Sequence, residues 1–172
     1  RYGNLLQTLR RSDYMILYHG SGVEIYQIDL NKSVRGKDFG KGFYLSEDKE
    51  QALEMAVFKS LQTNSNPVIS SFEFDEHILS EGSLNVKIFK EYSLEWAEFI
   101  FKNRSNKSDT PIHDYDIVYG PIADDKVGVQ IRNLMEGNID TEVFLERLKY
   151  IKGITFQYFF GTEKAIKHLK KL

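Results

Sequence analysis

Short apolar runs, bounded by glycine, proline or polar clusters, divide the chain and predict six β-strands. The first of these strands ends at His19, just before a glycine-rich turn. In the last strand, alternation places the polar Gln157 on the same face as Phe159 and opposite to Tyr158. The predicted strands cover residues 15–19, 43–45, 68–74, 84–89, 115–119 and 154–160.

Apolar side chains at three- and four-residue spacing predict the helices. Asp48 is suited to cap the first helix, with Gln51 as its reciprocal partner, and Lys59 continues the spacing that includes Met55. Thr162 is suited to cap a short helix near the carboxyl end. The longer predicted helices cover residues 49–62, 93–103, 126–135 and 141–152.

The order of these elements predicts an α+β fold, because strands and helices do not alternate as regular βαβ units. The chain has no internal repeat or long linker, and 172 residues suffice for one domain with its own core. Met15 is interpreted as a natural initiator. Residues 1–14 are therefore assigned as an N-terminal extension of unknown role, and residues 15–172 as the domain.

Composition excludes several classes of protein. With no cysteine, the chain has no disulfide framework, and no apolar run approaches the roughly 20 residues of a membrane span. The net charge of −2 provides no overall basic field for nucleic acid. The basic run 164–172 is interpreted as a solvated helix end. No signal-peptide pattern is found, and a cytoplasmic location is expected.

Several common catalytic motifs are absent from the sequence. There is no Gly-x-x-x-x-Gly-Lys-Ser/Thr loop, no Gly-x-Gly-x-x-Gly run after a strand and no Gly-x-Ser-x-Gly elbow. The four histidines, at positions 19, 77, 113 and 168, do not have the spacing of metal ligands. No metal site is therefore predicted.

Two motifs remain, and together they resemble a known superfamily. Tyr18-His19-Gly20-Ser21 is followed about 20 residues later by Phe39-Gly-Lys-Gly-Phe-Tyr-Leu-Ser46. This pair resembles the ADP-ribosyltransferase superfamily, and most closely its poly(ADP-ribose) polymerase branch. Within that superfamily, the chain also resembles a bacterial family known only as a domain of unknown function, number 3990. That second likeness extends to Gln51-Ala52 and to the run Tyr119-Gly-Pro-Ile-Ala-Asp-Asp125.

The resemblance implies an ADP-ribosyltransferase-like fold, with two packed, mainly antiparallel sheets, flanking helices and a central NAD cleft. It implies that NAD⁺ is a substrate, whose ADP-ribosyl group is transferred to a macromolecular acceptor with release of nicotinamide. The acceptor is a protein or a nucleic acid. Small bacterial members of this kind often act as toxins or conflict-system effectors, which implies an antitoxin-like protein partner.

The resemblance also assigns the residues that contact NAD⁺. His19 is expected to bind the adenosine-side ribose, and Tyr44 to stack on the nicotinamide ring. Gly20 is expected to let the ligand approach the main chain, and Ser21 to bond the carboxamide. Met55 stands where the polymerase branch has a second stacking tyrosine, and either covers the ring or fills the core.

The third catalytic position departs from the superfamily pattern, which has an acidic residue there. Gln157 is the candidate in the last predicted strand; it can position a ribose hydroxyl but supplies no negative charge. Glu163 is the alternative catalytic residue. Its other interpretation is a helix N-terminus, where an acidic side chain after Thr162 is favourable.

Three further charged residues are candidates for the site. Lys41, between two glycines, can meet a pyrophosphate. Asp124 and Asp125 can hold the acceptor, although capping of the following helix is their default interpretation.

Two other functions remain open at this point. An NAD glycohydrolase would use water as the acceptor. A catalytically weak module would bind NAD⁺ or an ADP-ribose-like ligand without turnover, and the uncharged Gln157 is compatible with that interpretation.

Overall fold

The computed structural model describes residues 13–172, so the assigned extension 1–14 lies almost wholly outside it. The described part is an α+β fold with seven strands and five α-helices. The strands are β1 (Tyr14–Ser21), β2 (Phe43–Leu45), β3 (Val68–Asp75), β4 (Val86–Ile88), β5 (Ile117–Pro121), β6 (Phe156–Phe160) and β7 (Lys170–Lys171). The helices are α1 (Lys49–Thr63), α2 (Leu94–Ser105), α3 (Asp125–Met135), α4 (Thr141–Lys149) and α5 (Glu163–Ile166). Short 3₁₀ turns occupy Leu30–Lys32 and Glu76–Leu79.

The strands form two mostly antiparallel sheets. One sheet has the order β1-β3-β7 and the other the order β2-β6-β5-β4, in which only β4 and β5 run parallel. The sheets are joined at one point, where Tyr18 and Ser46 exchange two backbone hydrogen bonds of 2.8 Å. This bridge brings the end of β1 beside β2, and so brings together the two motifs that the sequence separates.

Two apolar cores lie on opposite faces of the four-stranded sheet. The core between the sheets contains Leu17, Phe72, Phe74, Ile117, Tyr158 and Phe160. The core between the four-stranded sheet and the helices α2, α3 and α4 contains Phe39, Trp96, Ile100, Val118, Val127, Phe144 and Phe159. Along β6, successive side chains alternate between these two cores, as the period of two in the sequence predicts.

The predicted caps account for where the helices begin. Asp48 accepts a hydrogen bond from the backbone of Glu50 at 2.9 Å, and α1 ends where Asn64 adopts a left-handed conformation with φ 52°. Thr162 accepts from the backbone of Ala165 and caps α5, as predicted. The reciprocal role predicted for Gln51 is taken by Ser46, whose hydroxyl accepts from the Asp48 amide at 3.0 Å.

The carboxyl end differs from its prediction as a solvated helix end. The helix α5 ends at Ile166, and Lys170–Lys171 pair with Phe72 and Glu73 as the edge strand β7. The reason is tertiary: the edge of β3 is open there, and the amide of Leu172 also donates to the Ser71 carbonyl at 3.0 Å.

Several other boundaries shift by one to three residues. Gly120 and Pro121, predicted as loop, extend β5, and the helix predicted over 141–152 ends at Lys149. Among residues 13–172, no helix is both long and apolar enough to cross a membrane.

Candidate functional site

His19 lies at the end of β1, where the two sheets meet. Its ring stacks on Phe43 with centroids 4.2 Å apart, and only 9% of the residue is exposed. Its Nδ1 lies 2.6 Å from the carbonyl oxygen of Tyr44. His19 therefore meets the second motif through the Phe43 ring and the Tyr44 carbonyl, and not through contact with the Tyr44 ring.

The surroundings of His19 keep its imidazole neutral. Burial lowers its pKa to about 4, the positive charges of Lys59 and Lys37 act in the same direction, and the hydrogen bond to Tyr44 opposes them only in part. Because a carbonyl oxygen can only accept, the proton of the neutral ring is on Nδ1. Nε2 is then an acceptor, and it has no hydrogen bond within residues 13–172.

The Tyr44 side chain lies on the face of β2 opposite to that of Phe43, because the two residues are consecutive in a strand. Its hydroxyl donates to the carbonyl of Gly40 at 2.6 Å and accepts from the amide of Phe39 at 3.0 Å. Its ring meets Phe159 edge-on at 5.4 Å, and burial raises its pKa well above the ordinary value. The predicted stacking platform is thus an anchored, partly buried ring.

Gly20 has a packing role that the sequence did not predict. A Cβ at this position would lie 1.9 Å from the Ala52 carbonyl oxygen, so the missing side chain allows α1 to pack on β1. The Ser21 hydroxyl, predicted to bond the carboxamide, donates to the Val23 carbonyl at 2.5 Å and forms a local turn.

The two candidates for the third position lie apart from His19. Gln157 is half-buried on β6, opposite Gly120, and its side chain makes no hydrogen bond within the described residues. By alternation, the Gln157 side chain lies on the same face of the four-stranded sheet as Tyr44. Phe43, whose ring stacks with His19, lies on the opposite face. Glu163 is exposed as the first residue of α5, in the position that a helix N-terminus favours.

A cavity of about 610 Å³ lies beside the loop that contains Gly40 and Lys41, and His19 is not among its lining residues. Of the predicted site residues, only Lys41 lines it. His113 also lines it, but both of its ring nitrogens have backbone partners, the Phe39 carbonyl at 2.7 Å and the Tyr115 amide at 3.1 Å. The remaining lining residues are Gly40, Pro111, Ile112, Asp114, Tyr115, Phe159, Gly161 and Thr162.

The remaining candidates do not converge on His19 through any recorded contact. Asp124 caps α3 by accepting from the Val127 amide at 2.9 Å, and Asp125 is exposed in the first turn of that helix. Met55 is 43% exposed on α1. The described residues contain no group of three or more side chains suited to hold a metal ion.

Two lysines near His19 were missed by the sequence analysis. Lys59 donates to the Gly20 carbonyl at 3.2 Å, and the Lys37 ammonium lies 5.4 Å from the centre of the Tyr44 ring. A signal for Lys59 was present, because a lysine on the apolar spacing of α1 must place its ammonium where the helix meets the sheet. Lys37 had no such signal, since it stands in a loop.

The comparisons with known proteins correct the assignment to the ADP-ribosyltransferase superfamily. The family model that matches residues 15–171 is described as "Protein of unknown function (DUF3990)", and no ADP-ribosyltransferase family matches. No curated protein and no solved structure matches the chain. The short motifs alone were therefore insufficient to establish membership of the superfamily. The chain belongs to the family of proteins of unknown function DUF3990.

Proposed function

We propose that the chain binds NAD⁺ in a cleft where β1 meets β2 and transfers its ADP-ribosyl group to a macromolecular acceptor, releasing nicotinamide. The observation that carries this proposal is the neutral His19, held by the Tyr44 carbonyl through Nδ1. This hydrogen bond leaves Nε2 as an acceptor. A ribose hydroxyl is a donor that matches it.

The position of β2 supports a ligand that reaches both Phe43 and Tyr44. The strand is at the edge of its sheet, so a long ligand can pass from the His19 side to the face that contains Tyr44 and Gln157. A dinucleotide has a ribose at each end and suits this arrangement better than a single nucleotide does. The central NAD cleft expected from the sequence is part of this proposal.

The reaction breaks the bond between nicotinamide and the ribose and forms a bond from the same ribose carbon to the acceptor nucleophile, whose proton is released to solvent. Positive charge develops on the ribose as nicotinamide leaves with the bonding electrons. In this proposal, Gln157 holds a hydroxyl of that ribose, and its free amide group is suited to do so. An amide orients the sugar but stabilises the developing charge less than a carboxylate does.

A second function, binding without turnover, is favoured by one specific observation. Gln157, the residue that faces the reacting ribose in this proposal, has an uncharged amide side chain. A site without a carboxylate beside the reacting ribose is better suited to hold NAD⁺ or ADP-ribose than to break the glycosidic bond.

The test is a measurement of nicotinamide release from labelled NAD⁺ by the purified chain, with and without cell lysate, followed by separation of protein, RNA and DNA. Transfer predicts release together with label on one macromolecular fraction, and both should fall in His19→Ala. Release without macromolecular label would identify a glycohydrolase. Saturable NAD⁺ binding without nicotinamide release would identify the second function, binding without turnover. No NAD⁺ binding at all would refute the proposal.

A further inference from the structure

Two lysine side chains reach the two residues next to His19 in space. Lys59 extends from α1 and donates to the carbonyl of Gly20, which follows His19 in β1. Lys37 lies over the ring of Tyr44, whose carbonyl holds the His19 ring. The helix α1 and the loop before β2 therefore each place an ammonium group against a residue that adjoins His19, Gly20 in one case and Tyr44 in the other.

Among the residues that the structure describes, neither lysine has a carboxylate partner. Both side chains are half-buried, and no ion pair within residues 13–172 includes either of them. The carboxylate closest to Lys37 in sequence is Asp38, and it is paired with Arg104 at 2.6 Å. Partly buried cations without a counter-charge are unfavourable, so proteins that keep them usually provide an anion.

The electrostatics of the two lysines agree with this geometry. Burial lowers the pKa of Lys59 to about 8, and the charge of Lys37 acts in the same direction. Burial also lowers the pKa of Lys37. The charge of Lys37 thus acts on both Lys59 and His19, and a multiply charged anion bound by the two ammonium groups would relieve the repulsion between them.

We propose that Lys37 and Lys59 bind the diphosphate of a nucleotide ligand whose ribose lies at His19. The identification of that nucleotide as NAD⁺ rests on the proposed function, but the diphosphate chemistry does not. Two ammonium groups from separate elements can each contact one phosphate, and charge-assisted hydrogen bonds are the strong ones. This assignment replaces Lys41, which is exposed and lines the separate cavity with Asp114.

The test uses inorganic pyrophosphate as the probe, titrated at constant ionic strength into the full chain and into single lysine variants. Calorimetry gives the affinity for pyrophosphate, and thermal unfolding gives the melting temperature of each variant without ligand. Lys37→Met and Lys59→Met should each weaken pyrophosphate binding by about tenfold or more, the size of one lost charge-assisted hydrogen bond. Lys37→Arg and Lys59→Arg keep the charge and should retain most of the affinity.

Lys41→Met tests the competing assignment, in which the lysine that the sequence favoured binds the pyrophosphate; this variant removes an exposed lysine from the same loop region without touching either ammonium group. It should bind pyrophosphate like the parent. Without ligand, Lys37→Met should unfold at a temperature no lower than the parent, because the variant removes a repulsion. A merely structural lysine would instead lower that temperature and leave the affinity of the folded protein unchanged.

Additional ligands separate this inference from the proposed function. ADP should compete with pyrophosphate in the parent, whereas adenosine with nicotinamide should not. If pyrophosphate and ADP bind through both lysines but NAD⁺ does not bind, the diphosphate site stands and the proposed function fails. If NAD⁺ binds equally to the parent and to both methionine variants, the diphosphate site is wrong while the NAD⁺ proposal survives. Absence of pyrophosphate binding by the parent, or equal loss in Lys41→Met, also overturns the inference.

Discussion

The hydroxyl of Tyr44 is hydrogen-bonded to the loop that precedes it, so even a conservative substitution should lower the stability of the fold. Tyr44→Phe leaves the amide of the fully buried Phe39 without its partner and removes the donor to Gly40. An unsatisfied buried backbone group costs about 1–3 kcal/mol, so urea unfolding should show a loss of that size. Since the ring is retained, NAD⁺ affinity should change little. Undiminished stability in Tyr44→Phe would show that the loop finds another partner.

Gln157 and Glu163 can be separated in one assay of nicotinamide release. If Gln157 holds the reacting ribose, Gln157→Ala should lower turnover more than NAD⁺ affinity, because the lost contact strengthens as the glycosidic bond breaks. Gln157→Glu supplies a carboxylate and should raise release. Glu163→Ala should leave release intact and cost about 1 kcal/mol or less through the end of α5. Release abolished by Glu163→Ala but not by Gln157→Ala would reverse the assignment, and circular dichroism would confirm that each variant folds.

The folded state disfavours protonation of His19, so the titration of this residue should lower the stability of the fold as the pH falls. Its pKa is about 4 when folded and 6.5 as a free side chain, so the unfolded chain binds the proton first as the pH falls. Stability should therefore be lost between about pH 6.5 and 4, by up to about 3 kcal/mol. His19→Asn keeps an N–H donor for the Tyr44 carbonyl but does not titrate. The free energy of unfolding of the parent, measured with urea, should therefore fall relative to that of His19→Asn as the pH decreases over that range. A difference between the two proteins that does not change with pH would contradict a buried neutral ring.

At the scale of elements, the packing of α1 on β1 depends on Gly20. An added methyl would lie 1.9 Å from the Ala52 carbonyl oxygen and 2.8 Å from the Ala56 amide, and backbone atoms cannot turn away. Gly20→Ala should therefore destabilise the fold by about 1–3 kcal/mol or more, the cost of overpacking. Gly22→Ala is the control, since its methyl would meet the movable Ser65 hydroxyl. Equal urea midpoints for the two variants would contradict helix packing as the reason for Gly20.

At the scale of the whole molecule, a ligand that bridges β1 and β2 should stabilise both sheets together. A ligand that binds only the native state at about 100 times its dissociation constant adds roughly 2.7 kcal/mol to the free energy of unfolding. Millimolar NAD⁺ should accordingly raise the melting temperature of the parent, and His19→Ala should reduce that increase. A melting temperature indifferent to NAD⁺ would count against the proposed function, while leaving the pyrophosphate test of the two lysines open.

The sequence by itself determined the local elements, because their signals are local. The caps Asp48 and Thr162 start helices where they were predicted, and the strand of residues 43–45 is found with the same bounds. Alternation along β6 correctly divided Phe159 from Tyr158. Such features depend on period, capping and turn chemistry within a few residues, which can be followed along a sequence.

Only the tertiary structure decided what surrounds His19. The hydrogen bond to Tyr44 joins residues 25 positions apart, and the space left at Gly20 is occupied by a helix that begins far along the chain. The placement of Lys59 against Gly20 and of Lys37 over Tyr44, and the recruitment of Lys170–Lys171 into a sheet edge, likewise depend on which elements pack together. Residue types and their spacing show which groups are available, but burial and long-range contacts set the charge state of His19. They also decide that Lys37 and Lys59 have no carboxylate partner within residues 13–172.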